Sequence, residues 1–270
     1  MSFQAPPTID ILKKYSLETF KEIGFKDEKE ANENGFSSDM KGNVIYCFRS
    51  LETGFPILNS KPTNQRAVKH SKGNKTSRVE PIFEPVISTR FNPYWINYHA
   101  QRGEKLDKYK FPKGYNLIYY SNTVLVAFNQ QTKGIRLVIQ EGAKKAASMS
   151  LNGFNAIAPN GIHNYKLSKE LKDLIKTLNI DRIDICYDAD YFNISNKNEI
   201  ISDKRPRGFG LSALRLSSQI FEFVKDENQP IFLLINALKK ELKEEKANDT
   251  KAKELQGKIL KLQGEILKCK

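Results

Sequence analysis

Ile135-Arg136-Leu137-Val138-Ile139-Gln140-Glu141-Gly142-Ala143-Lys144-Lys145-Ala146 opens a stretch that closes on Arg182-Ile183-Asp184-Ile185-Cys186-Tyr187-Asp188-Ala189-Asp190. Both ends are short branched-aliphatic runs that pass directly into carboxylates. Between them Asn155 to Ala158 is a third such run, and helix-forming residues fill both gaps. Strands alternating with helices in this way predict a parallel sheet with right-handed crossovers. In such a sheet the carboxyl ends of the strands lie side by side, where ligands bind. Glu141 from the first strand and Asp188 with Asp190 from the third are then expected to converge. Three carboxylates repel one another unless a hard divalent cation sits among them. The expected cofactor is therefore Mg²⁺ or Mn²⁺, with Glu141, Asp188 and Asp190 as the candidate catalytic and metal-binding residues.

The helices follow the same logic. Ala143 to Leu151 reads as a helix stopped at Gly153, and Gly142 is expected to let the backbone leave the strand sharply. Leu167, Leu171, Leu174, Ile175 and Leu178 fall at helical spacing on one face. Leu211 to Val224 predicts another helix and Pro230 to Ile235 a closing strand. Lys144 and Lys145, at a helix start, are candidate phosphate contacts. The long polar segment from Tyr191 to Gly210 adds Lys204, Arg205 and Arg207 as further candidates. Asp184 receives no chemical role. Upstream, Asn116 to Tyr120 and Thr123 to Phe128 both read as strands.

Glu141-Gly142, Gly161 within Ala-Ile-Ala-Pro159-Asn160-Gly161-Ile162, and Asp188-Ala189-Asp190 together resemble the TOPRIM domain. That module is shared by DnaG-type primases, type IA and II topoisomerases and some nucleases. The wording is more similar still to primase-like TOPRIM proteins of plasmids, phages and other mobile genetic elements. Glu141-Gly142-Ala143-Lys144-Lys145-Ala146, Gly153-Phe154 and the Pro159-to-Ile162 turn carry that likeness. The resemblance covers the central part of the chain alone. It implies a Rossmann-like α/β fold and Mg²⁺-dependent nucleotidyl transfer on single-stranded DNA, with NTPs as substrates. Hydrolysis by a TOPRIM nuclease and non-catalytic binding of nucleic acid remain open beside it. No P-loop is present, so a helicase partner would be a separate chain. A topoisomerase is not expected, for want of room and of an identifiable nucleophilic tyrosine.

The chain carries a formal charge of +13, which favours a polyanionic partner. Much of the excess lies between Lys61 and Lys113, with Lys108, Lys110 and Lys113 as candidate phosphate contacts. Phe83, Phe91, Tyr94, Trp95, Tyr98, Tyr109 and Phe111 interleave with these cations. Rings among cations suit single-stranded DNA, or RNA, because bases stack while phosphates are neutralised. The rings can equally be the core of a small β-rich domain. The phrase Lys108-Tyr109-Lys110-Phe111-Pro112-Lys113-Gly114 resembles one found just before the TOPRIM segment in mobile-element primase-like proteins. Ile9 to Tyr15 predicts a short helix, and Ser16 the cap of a second ending at Gly24. Asn43 to Phe48 and Phe55 to Leu58 predict extended pieces.

Three widely spaced cysteines, Cys47, Cys186 and Cys269, frame neither a zinc site nor a disulfide scaffold. No apolar run approaches the ~20 residues that cross a bilayer. The N-terminus lacks the basic and apolar regions of a signal peptide, so a cytoplasmic protein without membrane partners is expected. Leu255, Ile259, Leu262 and Ile266 stripe a charged tail, as a short coiled-coil seam or a helix folded back on its domain. The expected organisation is a basic α+β region over 1–132, a TOPRIM-like domain over 133–236 and a helical tail over 237–270.

Overall fold

The computed structural model describes residues 7–68, 78–112, 115, 117–159, 161, 166–187, 209–226 and 232–235. The chain forms two compact units, Met1–Tyr115 and Asn116–Lys270. The division falls earlier than the 132/133 boundary expected from charge and motif. The segment between the two positions supplies a strand and a helix to the second unit.

In the first unit α1 (Ile9–Ile23) is one continuous helix, not the two that the sequence suggested. Leu12, Ser16, Thr19, Phe20 and Ile23 are all buried, a stripe at helical spacing that runs straight through the expected break. Ser16 does not cap; its hydroxyl donates to the Lys13 carbonyl at 2.8 Å and so stays within the helix. Gly24 then ends it with φ of 111°. The short α2 (Glu28–Glu33) is capped by the Asp27 side chain, which accepts from the Glu30 N–H.

β1 (Phe36–Ser38), β2 (Val44–Cys47), β5 (Ile87–Arg90) and β6 (Tyr109–Lys110) form an antiparallel sheet in that order. β3 (Asn64–Val68) and β4 (Arg78–Ile82) make a separate antiparallel pair. Phe20, Phe25, Phe36, Tyr46 and Phe48 fill the core as a line of rings 5.4 to 6.2 Å apart. The piece from Phe55 to Leu58 is extended, bridging through Pro56 to Arg49 and through Leu58 to Pro85.

α3 (Pro93–Ala100) is fastened to α1 at its start. The Asn92 side chain caps it by accepting from the Tyr94 N–H, and donates to the Leu12 carbonyl at 3.2 Å. Gly42 packs against the same carbonyl. It has φ of +67°, and a Cβ there would lie 2.0 Å from the Leu12 oxygen. Only glycine fits.

In the second unit β7 (Ile118–Tyr120), β8 (Arg136–Gln140), β9 (Asn155–Pro159), β10 (Arg182–Cys186) and β11 (Phe232–Ile235) form one sheet, ordered β11-β10-β8-β9-β7. All pairs are parallel except β7 with β9. The expected α/β architecture is therefore present, including both crossovers of the β8–β9–β10 unit. α5 (Ala143–Leu151) presents Ala143, Ala146, Ala147 and Ser150 inward, small residues that let it lie close on the sheet. α6 (Lys169–Leu178) buries Leu171, Leu174, Ile175 and Leu178. α7 (Phe209–Asp226) packs beside α6, where the Lys172 and Lys176 ammoniums each lie 5.4 Å from the Phe223 ring centroid.

One element departs from the sequence reading. Thr123 to Phe128, rich in β-formers, is helical as α4 (Asn122–Asn129). Val124, Leu125 and Ala127 are buried while Val126 is half exposed, which no alternating strand produces. Tertiary burial overrides propensity here, and Ser121 supplies the helix-start position. The tail from residue 237, and the polar segment from Tyr191 as far as residue 208, lie outside the described residues.

Candidate active site at the carboxyl edge of the parallel sheet

β8 occupies the centre of the sheet, with β9 on one side and β10 on the other. The chain moves outward from β8 to β9, then crosses back to β10. That reversal puts a topological switch point between β8 and β10, the crevice where open α/β sheets take ligands. Register fixes the neighbours: Gln140 pairs with Cys186, so Glu141 and Tyr187 leave adjoining strands at the same level. Asp188 and Asp190, the next carboxylates of the expected set, lie outside the described residues, as do Lys204, Arg205, Arg207 and Lys113. Among the described residues no group of three or more metal-ligating side chains is assembled.

Glu141 is mostly buried, and its Oε1 accepts from the Lys145 ammonium at 2.8 Å, one helical turn on. Lys145, expected to meet phosphate, is thus held on the glutamate. Lys144 sits beside it in the first turn of α5. Gly142 precedes the helix as its N-cap residue, with an extended backbone of φ −152°. A Cβ at Gly142 would meet no atom of the described residues within 4 Å. The first N–H groups of a helix favour an anion near them.

Tyr187 is the site residue that sequence reasoning passed over. Burial pushes its phenol pKa up, and the Glu141 charge nearby pushes it further the same way. Its hydroxyl is buried and finds no hydrogen-bond partner among the described residues. No signal in the sequence marks it; only the pairing of β10 with β8 places the residue before Asp188 level with Glu141.

A second missed group is Asp184. It is completely buried and takes Arg136 Nε on one oxygen and Arg182 Nε on the other, the latter at 2.9 Å. Arg136 and Arg182 are register partners on β8 and β10, on the same sheet face as Asp184. Two adjacent guanidiniums and a buried carboxylate compensate one another, a structural role that leaves the carboxyl edge to Glu141. Near that edge a small cleft, lined by Ile139, Ile157, Pro159, Lys166, Ser168 and Leu216, is chiefly apolar.

Lys108 and Lys110 belong to the first unit. Lys108 has its ammonium 5.6 Å from the Tyr109 ring centroid, and Lys110 lies exposed on the edge strand β6.

Residues 127–205 match a family model described as a domain of unknown function, DUF3854. The match runs from the end of α4 past Asp190, and so takes in Glu141 and both aspartates. No curated protein and no solved structure matches the chain. Among the described residues no helix is long and apolar enough to cross a membrane.

Proposed function

We propose that the chain is a Mg²⁺-dependent TOPRIM-type protein that acts on single-stranded DNA by primase-like nucleotidyl transfer, in the replication of a mobile element or phage. The observation that carries this reading is the register of β8 and β10. Glu141 ends one strand beside the residue that immediately precedes Asp188-Ala189-Asp190 on the other. The donor set, carboxylate oxygens without a soft ligand, fits Mg²⁺ or Mn²⁺. Asp188 and Asp190, with Glu141, would hold the metal, which supplies neutralisation of charge developing on phosphate.

In the proposed step a strand's 3′-hydroxyl oxygen bonds to the α-phosphorus of an incoming NTP. The bond from that phosphorus to the pyrophosphate oxygen breaks, and pyrophosphate leaves with the electron pair. Glu141 assists by accepting the hydroxyl proton or by orienting the phosphate. The N-terminal turn of α5, which carries Lys144, suits the nucleotide's phosphates.

A non-catalytic reading draws on a different observation, the Glu141–Lys145 ion pair, which gives the glutamate a structural partner. One assay separates the readings. The full chain is incubated with labelled single-stranded DNA, NTPs, dNTPs and Mg²⁺, and the products are resolved by length. Lengthened strands support nucleotidyl transfer; shortened strands replace it with hydrolysis by the same carboxylates. Unchanged strands that are nonetheless bound leave the accessory reading.

A further inference from the structure

α3 lies in the first unit and buries none of its eight residues. A surface helix ordinarily turns its rings inward; this one carries Tyr94, Trp95 and Tyr98 partly in solvent. The three rings are packed on one another. Tyr94 and Tyr98 stack with centroids 6.1 Å apart and planes 26° apart. Trp95 stands edge-on to both, at 5.0 and 5.7 Å. The indole is fixed in place, since Nε1 donates to the Lys41 carbonyl at 2.9 Å. Cations stand over the rings: the Arg102 guanidinium carbon is 4.0 Å from the Tyr98 centroid, and the Lys41 ammonium 5.7 Å from that of Trp95.

A second ring pair repeats the pattern. Tyr109 and Phe111 stack at 5.9 Å and 16°, and are 38% and 42% exposed. They lie on and just after the edge strand β6, with Lys108 over Tyr109. Tyr109 is the register partner of Arg90, from which the chain runs through Phe91 and Asn92 into α3. The acids of this segment are already engaged, Glu104 with His99 and Asp107 with Lys105.

Self-packing of rings would account for a short helix holding its shape, but not for a cation over each ring cluster or for the absence of buried positions. A lipid surface would need a continuous apolar patch, which Asn97 and the charged neighbours interrupt. An acidic peptide would use the cations and leave the rings idle. We infer that the α3–β6 surface is a binding site for single-stranded nucleic acid, whose bases stack on the rings and on Arg102 while phosphates meet Lys41, Lys108 and Lys110. This rests on the nucleic-acid reading above and gives it a location. Duplex is disfavoured because its base faces are already stacked. The cap at Asn92 and the contact at Gly42 preorganise the surface, which reduces the ordering cost of binding.

Trp95 is the chain's single tryptophan, so its emission reports on this surface alone. The full chain is titrated with end-labelled oligodeoxythymidylate of about 15 nucleotides, and in a second arm with oligouridylate of the same length. Label anisotropy and Trp95 emission are followed together. The expected result is quenching of Trp95 in step with the anisotropy rise, and weaker binding of a duplex of equal length. The two arms show whether DNA or RNA is preferred. Tyr98→Ala and the double variant Tyr109→Ala/Phe111→Ala should each weaken binding about tenfold. Arg102→Ala, which removes no ring, should weaken it with the melting curve unchanged. Anisotropy that rises while Trp95 stays constant, with variants binding as the parent does, overturns the site and leaves single-strand binding standing. No anisotropy rise with either oligonucleotide removes both.

Discussion

In the first unit strand β2 buries alternate residues and the core is a line of rings. In the second, β8, β9 and β10 are buried on both faces and their buried apolar residues are aliphatic. A parallel sheet covered by helices has no solvent face, so its strands read as continuous branched runs. The antiparallel sheet needs only one apolar face, and its large rings do the filling that several small aliphatics do elsewhere. The consequence is a division of exposed chemistry. The second unit has few places for polar groups except strand ends, where Glu141 stands. The first leaves rings and cations on its surface.

The largest test of this contrast is Asp184, the one fully buried charge among the described strands of the second unit. Asp184→Ala leaves Arg136 and Arg182 side by side at the same register position without their carboxylate. The guanidiniums left behind are 47% and 36% exposed, so the loss is about 3 kcal/mol, the low end for a broken buried ion pair. Chemical denaturation of the full chain should show the second unit's transition moved by that amount and the first unit's unmoved. A loss below about 1 kcal/mol would mean that the cluster behaves as a solvated pair.

An alkaline titration comes next, and it separates the cores by their phenols. Burial pushes Tyr46 from 10.0 up to about 12. A folded pKa raised above the unfolded value contributes stability that is whole below pH 10 and is lost as pH rises toward 12. A rise of that size corresponds to about 3 kcal/mol. The first unit should therefore weaken through this window, and Tyr46→Phe should flatten its profile. Tyr120 and Tyr187, also raised by burial, should give the second unit a similar slope that Tyr46→Phe leaves alone. Melting temperatures between pH 9 and about 11 would settle it.

At the site itself, Glu141→Gln keeps the volume but removes the charge. Under the proposed mechanism product formation falls about a hundredfold, while stability changes by less than about 1 kcal/mol, the scale of one partly exposed helical ion pair. Asp188→Asn should be at least as severe for activity. Oligonucleotide binding should survive both, because the cations and rings of the first unit carry it. A product gel, a melting curve and the anisotropy titration read activity, stability and binding in turn; full activity in Glu141→Gln would transfer the chain to the non-catalytic reading.

The same contrast explains what is legible in the sequence alone. Arg136–Gln140, Ala143–Leu151 and the buried face of α6 were legible because βαβ strands are short unbroken aliphatic runs bounded by glycine and asparagine. Tyr187 and Asp184 were not, since their roles depend on which strands are neighbours. That β10 lies beside β8 is a property of the crossover. In the first unit Ser16 looked like a cap because a hydroxyl before Leu-Glu-Thr is the usual cap pattern, yet the apolar stripe passing through it decided for one helix. The rings were ambiguous for a simple reason: Phe36 and Tyr46 line the core while Tyr94, Trp95 and Tyr98 do not, and all five are the same kind of residue in sequence.

The smallest expected effect tests the one element of the second unit that local preference misassigns. Thr123-Val124-Leu125-Val126-Ala127-Phe128 has strand-forming composition but is helical, with Val126 at 51% exposure on the outer side of α4. In a helix an exposed valine loses rotamer freedom against the preceding turn, so alanine is preferred by about 0.5 kcal/mol. In a strand the sign reverses, because valine fits a pleated surface better than alanine does. Val126→Ala should therefore leave the second unit unchanged or raise its stability by about 0.5 kcal/mol, since little apolar surface is lost at a half-exposed position. Val124→Ala, at a fully buried position on the inner side, should instead cost about 2 kcal/mol. The opposite signs at two valines two residues apart distinguish a helix, whose faces differ by 200° at that spacing, from a strand, where both would share one face. Equal losses at both would return this segment to the strand that its composition suggests.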